Sequence, residues 1–387
     1  MIRSQPLGQK IPIVGGSAAG LFTAYLLARA GRAVRVLEGE DRLDPLSRTL
    51  IVTDRFREIV GDLGEPAVIN QIRRFELFTD GRVATVELRR PDLVIERAAL
   101  IRSLAGAAQQ AGAEISLGRR LVSIRHDAKG LSLAIERRKD GAAEEVRAPI
   151  VIGADGSHSR VAKEAGWPAP STVPLVQAIV PLPAGMPSDT TRVWFIPQDT
   201  PYFYWLIPES PTRGVLGLIG AEASSTRRLL DRFLEKQRLT PLEFQAAKIP
   251  VYTGWVPIRR QLAGGEVYLV GDAAGHVKVT TIGGIVTGFR GALGVAEAIL
   301  HGEPGRRLHA LRRELNLHLL IRKLIHGFTQ AHYSHLVDLL NARARNDLAA
   351  HTRDEPGRVL WRLCLHQPQF LLLGLRALLS GGSFPLS

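Results

Sequence analysis

Two glycine-rich stretches hold the residues whose types and spacing could do chemistry. The later one, GDAAGHVKVTTIGGI (residues 271–285), sets four glycines around a single acid, Asp272. Glycine at this density lets a backbone approach a ligand closely. The stretch has no Gly-Lys-Ser/Thr ending, so it is not a P-loop, and an acid is out of place in a phosphate cradle. His276 and Lys278 fall between the two glycine pairs and are the candidate acid–base groups. The earlier stretch, Gly15-Gly16-Ser17-Ala18-Ala19-Gly20, keeps the first and last glycines of G-x-G-x-x-G and puts Ser17 at the middle one. Gly15 permits a tight turn, Gly20 lets helix and strand pack closely, and the free amides at the helix start face a pyrophosphate. Glu38 lies about 20 residues on, where an acid accepts from a ribose hydroxyl and disfavours a ribose phosphate.

These residues need strand–turn–helix units to hold them. IPIV (11–14) reads as a short buried strand and 21–30 as a helix stopped by Gly31. VRVL (34–37) is the next strand, ended by Glu38. That unit fits FAD and NAD alike. A second buried strand (150–152) runs into GADGSHSR, with Asp155-Gly156 at its turn. A third (267–270) runs into Gly271-Asp272, followed by a long small-residue helix from near Gly284. No second G-x-G-x-x-G on a strand–turn–helix unit occurs, so no separate nicotinamide domain is expected.

The order of the three motifs resembles one family over about residues 10–300. It is that of the FAD-dependent oxidoreductases of the para-hydroxybenzoate hydroxylase and geranylgeranyl reductase type. The resemblance implies an α/β fold. Its core is a Rossmann-like FAD-binding domain of the glutathione-reductase type (three-layer ββα), carrying an inserted mixed β-sheet substrate domain and a helical C-terminus. The expected division is 8–65, 97–167 and 262–300 for the discontinuous FAD domain, 66–96 and 168–261 for the substrate sheet, and 301–387 for the helical region. By the same resemblance Asp272, with Gly271, would meet the ribityl hydroxyls of FAD, and Gly283 and Gly284 would offer amides to the flavin. Asp155 and Gly156 would lie near the pyrophosphate and ribityl region, Arg97 would open a helix beside the cofactor, Arg48 would reach it, and Leu121 would touch adenine. The chain departs from the pattern at Ala162, where Arg or Lys is usual, at Val279, where proline is common, and at Ser47-Arg48, where some of these reductases carry a cysteine.

Residues 66–96 hold two alternating segments around Asp80-Gly81 and read as a β-hairpin. Further strands between 170 and 260 include PYFYWLIPES, which concentrates aromatics in a chain with only 6% of them. In strand geometry Phe203, Trp205 and Ile207 share one face. With Tyr202 they are the expected apolar wall for a substrate. The stretch is similar to the Y-x-W-x-F-P motif of geranylgeranyl reductases, with Phe203 for Tyr and Ile207 for Phe, and partly to the W-x-I-P stretch of flavin halogenases.

The formal charge of +13 and pI near 10.4 favour anionic partners, yet no nucleic-acid module is present and none is expected as a partner. One cysteine, Cys364, excludes a disulfide framework within the chain. The histidines show no metal-ligand spacing, so no metal is expected. No apolar run reaches the roughly 18 residues of a membrane span, and the first residues do not read as a signal peptide. A cytoplasmic protein is therefore expected. From residue 301 onward, twelve Lys and Arg stand against six Asp and Glu in leucine-rich helices. These helices would suit a peripheral contact at the inner membrane face. The leading reading of the reaction is hydride transfer from reduced FAD to an alkene of a prenyl-like substrate. The alternative is an FAD monooxygenase (hydroxylase or epoxidase), and the third is a non-redox FAD-dependent cyclase. The external reductant would be NADH, NADPH or ferredoxin, and the basic surface would suit an acidic electron-donor protein.

Overall fold

The computed structural model describes residues 9–43, 47–302 and 305–379. The reading of residues 1–8, and that of 380–387, lies outside them.

The first sheet has six strands in the order β16 (Arg259–Leu262), β17 (Gly265–Leu269), β10 (Ile150–Gly153), β1 (Ile11–Val14), β2 (Val34–Leu37) and β6 (Glu114–Ser116). All pairs are parallel except β16 with β17 at one edge. Every residue of β1 is buried, as a central parallel strand covered on both faces requires. One layer on this sheet is helical: α1 (Ala18–Arg29), α2 (Arg55–Val60), α3 (Arg97–Gln110) and, after the second sheet, α6 (Ile285–His301), while the short α4 (Arg160–Glu164) packs against β10 and the opposite layer. The other is a three-stranded meander of β7 (Arg119–Asp127), β8 (Gly130–Arg137) and β9 (Ala143–Ala148). Leu131, Leu133 and Ile135 of β8 lie in the same core as β1 and α1, which gives the ββα layering.

The second sheet has eight strands: β15 (Glu243–Pro250), β11 (Thr172–Pro181), β14 (Arg213–Ile219), β13 (Tyr204–Pro208), β12 (Thr190–Trp194), β4 (Val68–Thr79), β5 (Arg82–Glu96) and β3 (Thr49–Val52). It is mixed, because β12 pairs with β4 in parallel. The β4–β5 hairpin turns at Asp80 and Gly81, both with positive φ (41° and 74°), the geometry that an Asp-Gly turn supplies. Two strands fall on the other side of the expected division. β3, within 8–65, pairs with the end of β5 in the second sheet. β16, begun before 262, joins the first sheet. In both cases backbone pairing decides, and pairing partners distant in sequence leave no local signal. The amphipathic helix α5 (Ala223–Gln237) packs Leu230, Phe233 and Leu234 against this sheet. The C-terminal region is helical: α7 (Arg306–Ile325), α8 (Gln330–Asp338), α9 (Ala342–Ala350), α10 (Pro356–His366) and α11 (Gln369–Leu379). Among the described residues, no helix is long and apolar enough to cross a membrane.

An aromatic joint fixes α1, α2 and α6 to one another. The Phe289 ring of α6 lies 5.0 Å from Phe22 of α1 and 6.1 Å from Phe56 of α2, and Phe56 and Phe289 are fully buried. Phe289→Ala should therefore lower the unfolding free energy by about 3–5 kcal/mol in a urea titration. A loss below about 1 kcal/mol, the scale of an average substitution, would show that these rings are not the joint.

Candidate functional site

Parallel pairing brings the carboxyl ends of β1, β2, β10 and β17 to one edge of the first sheet. The residues just beyond them, Gly15, Glu38, Ala154 and Gly271, therefore come together although they are far apart in sequence. Their contact is tight. A Cβ added at Gly15 (φ 102°) would lie 2.5 Å from the Ala154 carbonyl oxygen, and one at Gly20 would lie 2.5 Å from that of Gly15. A Cβ at Gly271 (φ 65°) would lie 2.8 Å from that of Ala19. Ser17 caps α1 by accepting from the Gly20 amide at 3.2 Å. Glu38 accepts from the Gly16 amide at 2.6 Å and from that of Glu40 at 2.9 Å.

A cleft of about 730 Å³ runs along this edge, past Gly15, Gly16, Glu38, Leu121 and Gly156. Asp155 borders it too, but its carboxylate turns into the protein, accepting from Ser159 Oγ at 2.5 Å and from the Val161 amide at 3.1 Å. The Asp155 side chain thus holds the start of α4, and the backbone at Gly156 (φ 81°) is what faces the cleft. Arg160, beside the departure at Ala162, also lines the cleft.

A second, more enclosed cavity of about 280 Å³ shares Ser17, Arg97, Ala154 and Gly156 with the first, so the two are continuous. Ala18, Ala19, Gly271, Asp272, Gly283 and Gly284 form its near wall. Phe203, Trp205 and Ile207 of the second sheet form the far one. Burial pushes the Asp272 carboxyl above its usual range, and the cations Arg48 and Arg97 pull it back. Burial and the neighbouring Arg97 bring Arg48 down to about 10, with Asp272 opposing. The Arg48 Nε is buried and has no hydrogen-bond partner, and a buried donor of this kind needs an acceptor. Ile282, next to Gly283, has φ 53°, a strained conformation for a β-branched residue that gathers at ligand sites.

The residues present fit FAD. The long cleft, with glycines where any Cβ would collide and an acid at the ribose corner, suits an adenine dinucleotide. Asp272 suits sugar hydroxyls rather than phosphate, which answers why an acid stands among these glycines. Gly284 caps α6, whose first amides and positive end turn toward the cavity wall.

Two expected contacts are corrected. His276 does not line either cavity. Its ring is fully buried, stacks on Trp255 at 5.7 Å and presses on Gly291 of α6, and neither ring nitrogen has a partner. Burial, with Arg290 nearby, brings it down to about 3, so it stays neutral. The cause is Gly275 (φ 66°), which turns the chain so that the next side chain points away from the cavity. Tyr202 is also off the cavity, with the Arg322 guanidinium 4.0 Å over its ring. Tyr202 lies before β13, in one cluster with Trp205 and Ile207, while Tyr204 faces the other way and packs on Phe233 of α5 at 4.1 Å.

Lys278 does line the cavity, in a charge network that sequence reasoning missed. Its ammonium is bonded to Asp354, whose other oxygen accepts from Thr53. Arg353 is bonded to Asp92, lies 5.1 Å over the Phe75 ring and borders the same cavity. Burial works to raise the Asp354 carboxyl, but Lys278, Thr53 and Arg353 outweigh it and hold it at about 2. No local signal marks RDEPG as a partner of a loop more than seventy residues away.

A model of the FAD binding domain family matches residues 9–311. Digeranylgeranylglycerophospholipid reductase 2 of Methanothermobacter thermautotrophicus is 30% identical over 290 residues, 71% of this chain and 73% of that one. Among solved structures, a geranylgeranyl bacteriochlorophyll reductase-like protein from Thermoplasma acidophilum superposes with a TM-score of 0.79 at 18% identity, covering 95% of this chain and 98% of that one. The flavin-dependent monooxygenase PieE, solved with FAD and substrate, gives 0.62 at 18%, covering 96% of this chain and 71% of that one.

Removing one partner of a buried pair strands the other charge. Asp354→Ala should cost roughly 3–5 kcal/mol in urea denaturation at neutral pH, and Lys278→Met combined with Asp354→Leu should recover most of it. With Asp354 held near 2 against its ordinary 3.8, its stabilisation is present above that range and is lost as pH falls toward 2. The double variant should lose that part of the acid sensitivity. An Asp354→Ala protein as stable as the wild type would contradict the pairing.

Proposed function

The chain belongs to the FAD binding domain family and is an FAD-dependent oxidoreductase, and from that premise we propose that it saturates an alkene of an apolar, prenyl-like substrate. The observation that carries the reading is the apolar wall of Phe203, Trp205 and Ile207, set across a cavity from the Asp272 and Gly283-Gly284 cradle. The relatives named as digeranylgeranylglycerophospholipid reductases support it over the other chemistries of the fold.

Bound FAD supplies the hydride in its reduced form. The protein binds and orients. Asp272 would accept from the ribityl hydroxyls, with the cations Arg48 and Arg97 beside its carboxylate. The amides at Gly283-Gly284, with the positive end of α6, favour negative charge on the ring edge they face. The second sheet excludes water, which strengthens each of these interactions. Lys278, whose Nζ bonds Asp354 beside the cavity, is the residue that would hand on a proton. NADH, NADPH or ferredoxin would serve as external reductant, and the net charge of +13 favours an acidic donor protein.

Turnover with chemically reduced enzyme and a geranylgeranyl lipid under nitrogen tests this. The expected product is heavier by two hydrogens for each double bond reduced. A product gaining an oxygen atom, formed only in air, would replace the reading with a monooxygenase. An isomer of unchanged mass, formed without electron consumption, would replace it with a cyclase.

A further inference from the structure

The outer surface of the C-terminal helices is not used by this site. α10 begins at Pro356, three residues after the cavity-lining Arg353. Leu363 is its inward anchor, in a cluster with Val337, Leu340 and Ala344. Its outward face, at spacings of three and four residues, carries Arg358, Trp361, Arg362 and Leu365. Trp361 is 70% exposed and Leu365 62%. Leu371 (54%) and Leu372 (53%) of α11 are exposed as well, as is Leu320 (54%) of α7, against which both helices pack. Single exposed apolar side chains are ordinary. Five on three packed helices, among them a tryptophan, mark a surface that meets something.

We propose that this face docks on an anionic lipid surface. Trp361, Leu365, Leu371 and Leu372 would enter the boundary layer, and Arg358 and Arg362 would reach the lipid phosphates. The charge decides between occupants. Arg358 bonds Glu355 at 2.6 Å and Arg362 lies 3.8 Å from Asp347, but both acids are largely buried beneath them, so the arginines are what the surface presents. Arg343 and Arg345 of the adjoining α9 are also exposed. A second copy of this chain, also at +13, would meet that basic rim with like charge. An acidic bilayer complements it and accepts tryptophan at its interface. The contact is peripheral, since among the described residues no helix can span. The choice of a lipid surface draws on the proposed apolar substrate, which would partition there, but vesicle binding needs neither cofactor nor turnover.

The test is co-sedimentation of the full-length, FAD-loaded protein with phosphatidylglycerol–phosphatidylcholine vesicles and with phosphatidylcholine alone, the visible flavin spectrum serving as the folding control. The wild type should sediment with the anionic vesicles. Trp361→Ala/Leu365→Ala should bind them roughly tenfold more weakly, and Arg358→Gln/Arg362→Gln should lose the preference for anionic lipid. Equal recovery of wild type and both variants overturns the proposal. So does a wild-type dimer by light scattering that the apolar variant dissociates while vesicles have no effect. Absence of vesicle binding with normal reduction of a detergent-dispersed alkene sinks the docking face alone. Vesicle binding without reduction sinks the proposed reaction alone.

Discussion

Parallel pairing of β17, β10, β1 and β2 is the constraint on which the site depends. It sets four strand ends side by side, and the backbones beyond them then touch without room for a single extra carbon at Gly15 or Gly20. The turn at Gly15, Glu38 and Asp272 are therefore one object, although Gly15 and Asp272 are more than 250 residues apart. Moving any one strand by a residue would shift its end relative to its neighbours and pull that object apart.

The second constraint is electrostatic. Lys278 and Asp354 are both buried, and each would be costly alone. Their pairing commits the segment before α10 to the cavity wall, with Arg353 and Asp92 as a second pair beside it. The C-terminal helices are thus tied to the chemistry rather than appended to it. A basic, partly apolar surface is held at a fixed position relative to the cavity by two charge pairs.

Much of this was legible in the residues. Gly15, Gly20 and Gly271 lie where a side chain would collide, and Glu38 lines the strand-end cleft and Asp272 the enclosed cavity. Phe203, Trp205 and Ile207 line the cavity together, with Trp205 and Ile207 on one face because strands alternate, whereas Tyr202, in the turn before β13, packs in the same cluster but meets Arg322 rather than the cavity. His276 failed for a different reason. A left-handed glycine before it sends the ring into the helix layer, and nothing in the spelling of GDAAGHVK distinguishes that from a ring in the cavity. Asp155 borders the cleft as its motif led one to expect, and its carboxylate also holds the start of α4 through Ser159 and Val161. The Asp354 contact was illegible, because a single acid in a loop carries no mark of a partner some three hundred residues away at Thr53.

The most direct measurement is chromatographic identification and counting of the nucleotide released from the purified, denatured protein after reconstitution. One FAD per chain is the expected result, since the cleft at Glu38 accommodates an adenosine half and the cavity at Asp272 the ribityl and ring half. FMN in its place, or no flavin at saturating FAD, would contradict the reading of the strand-end cleft as a single continuous cofactor site.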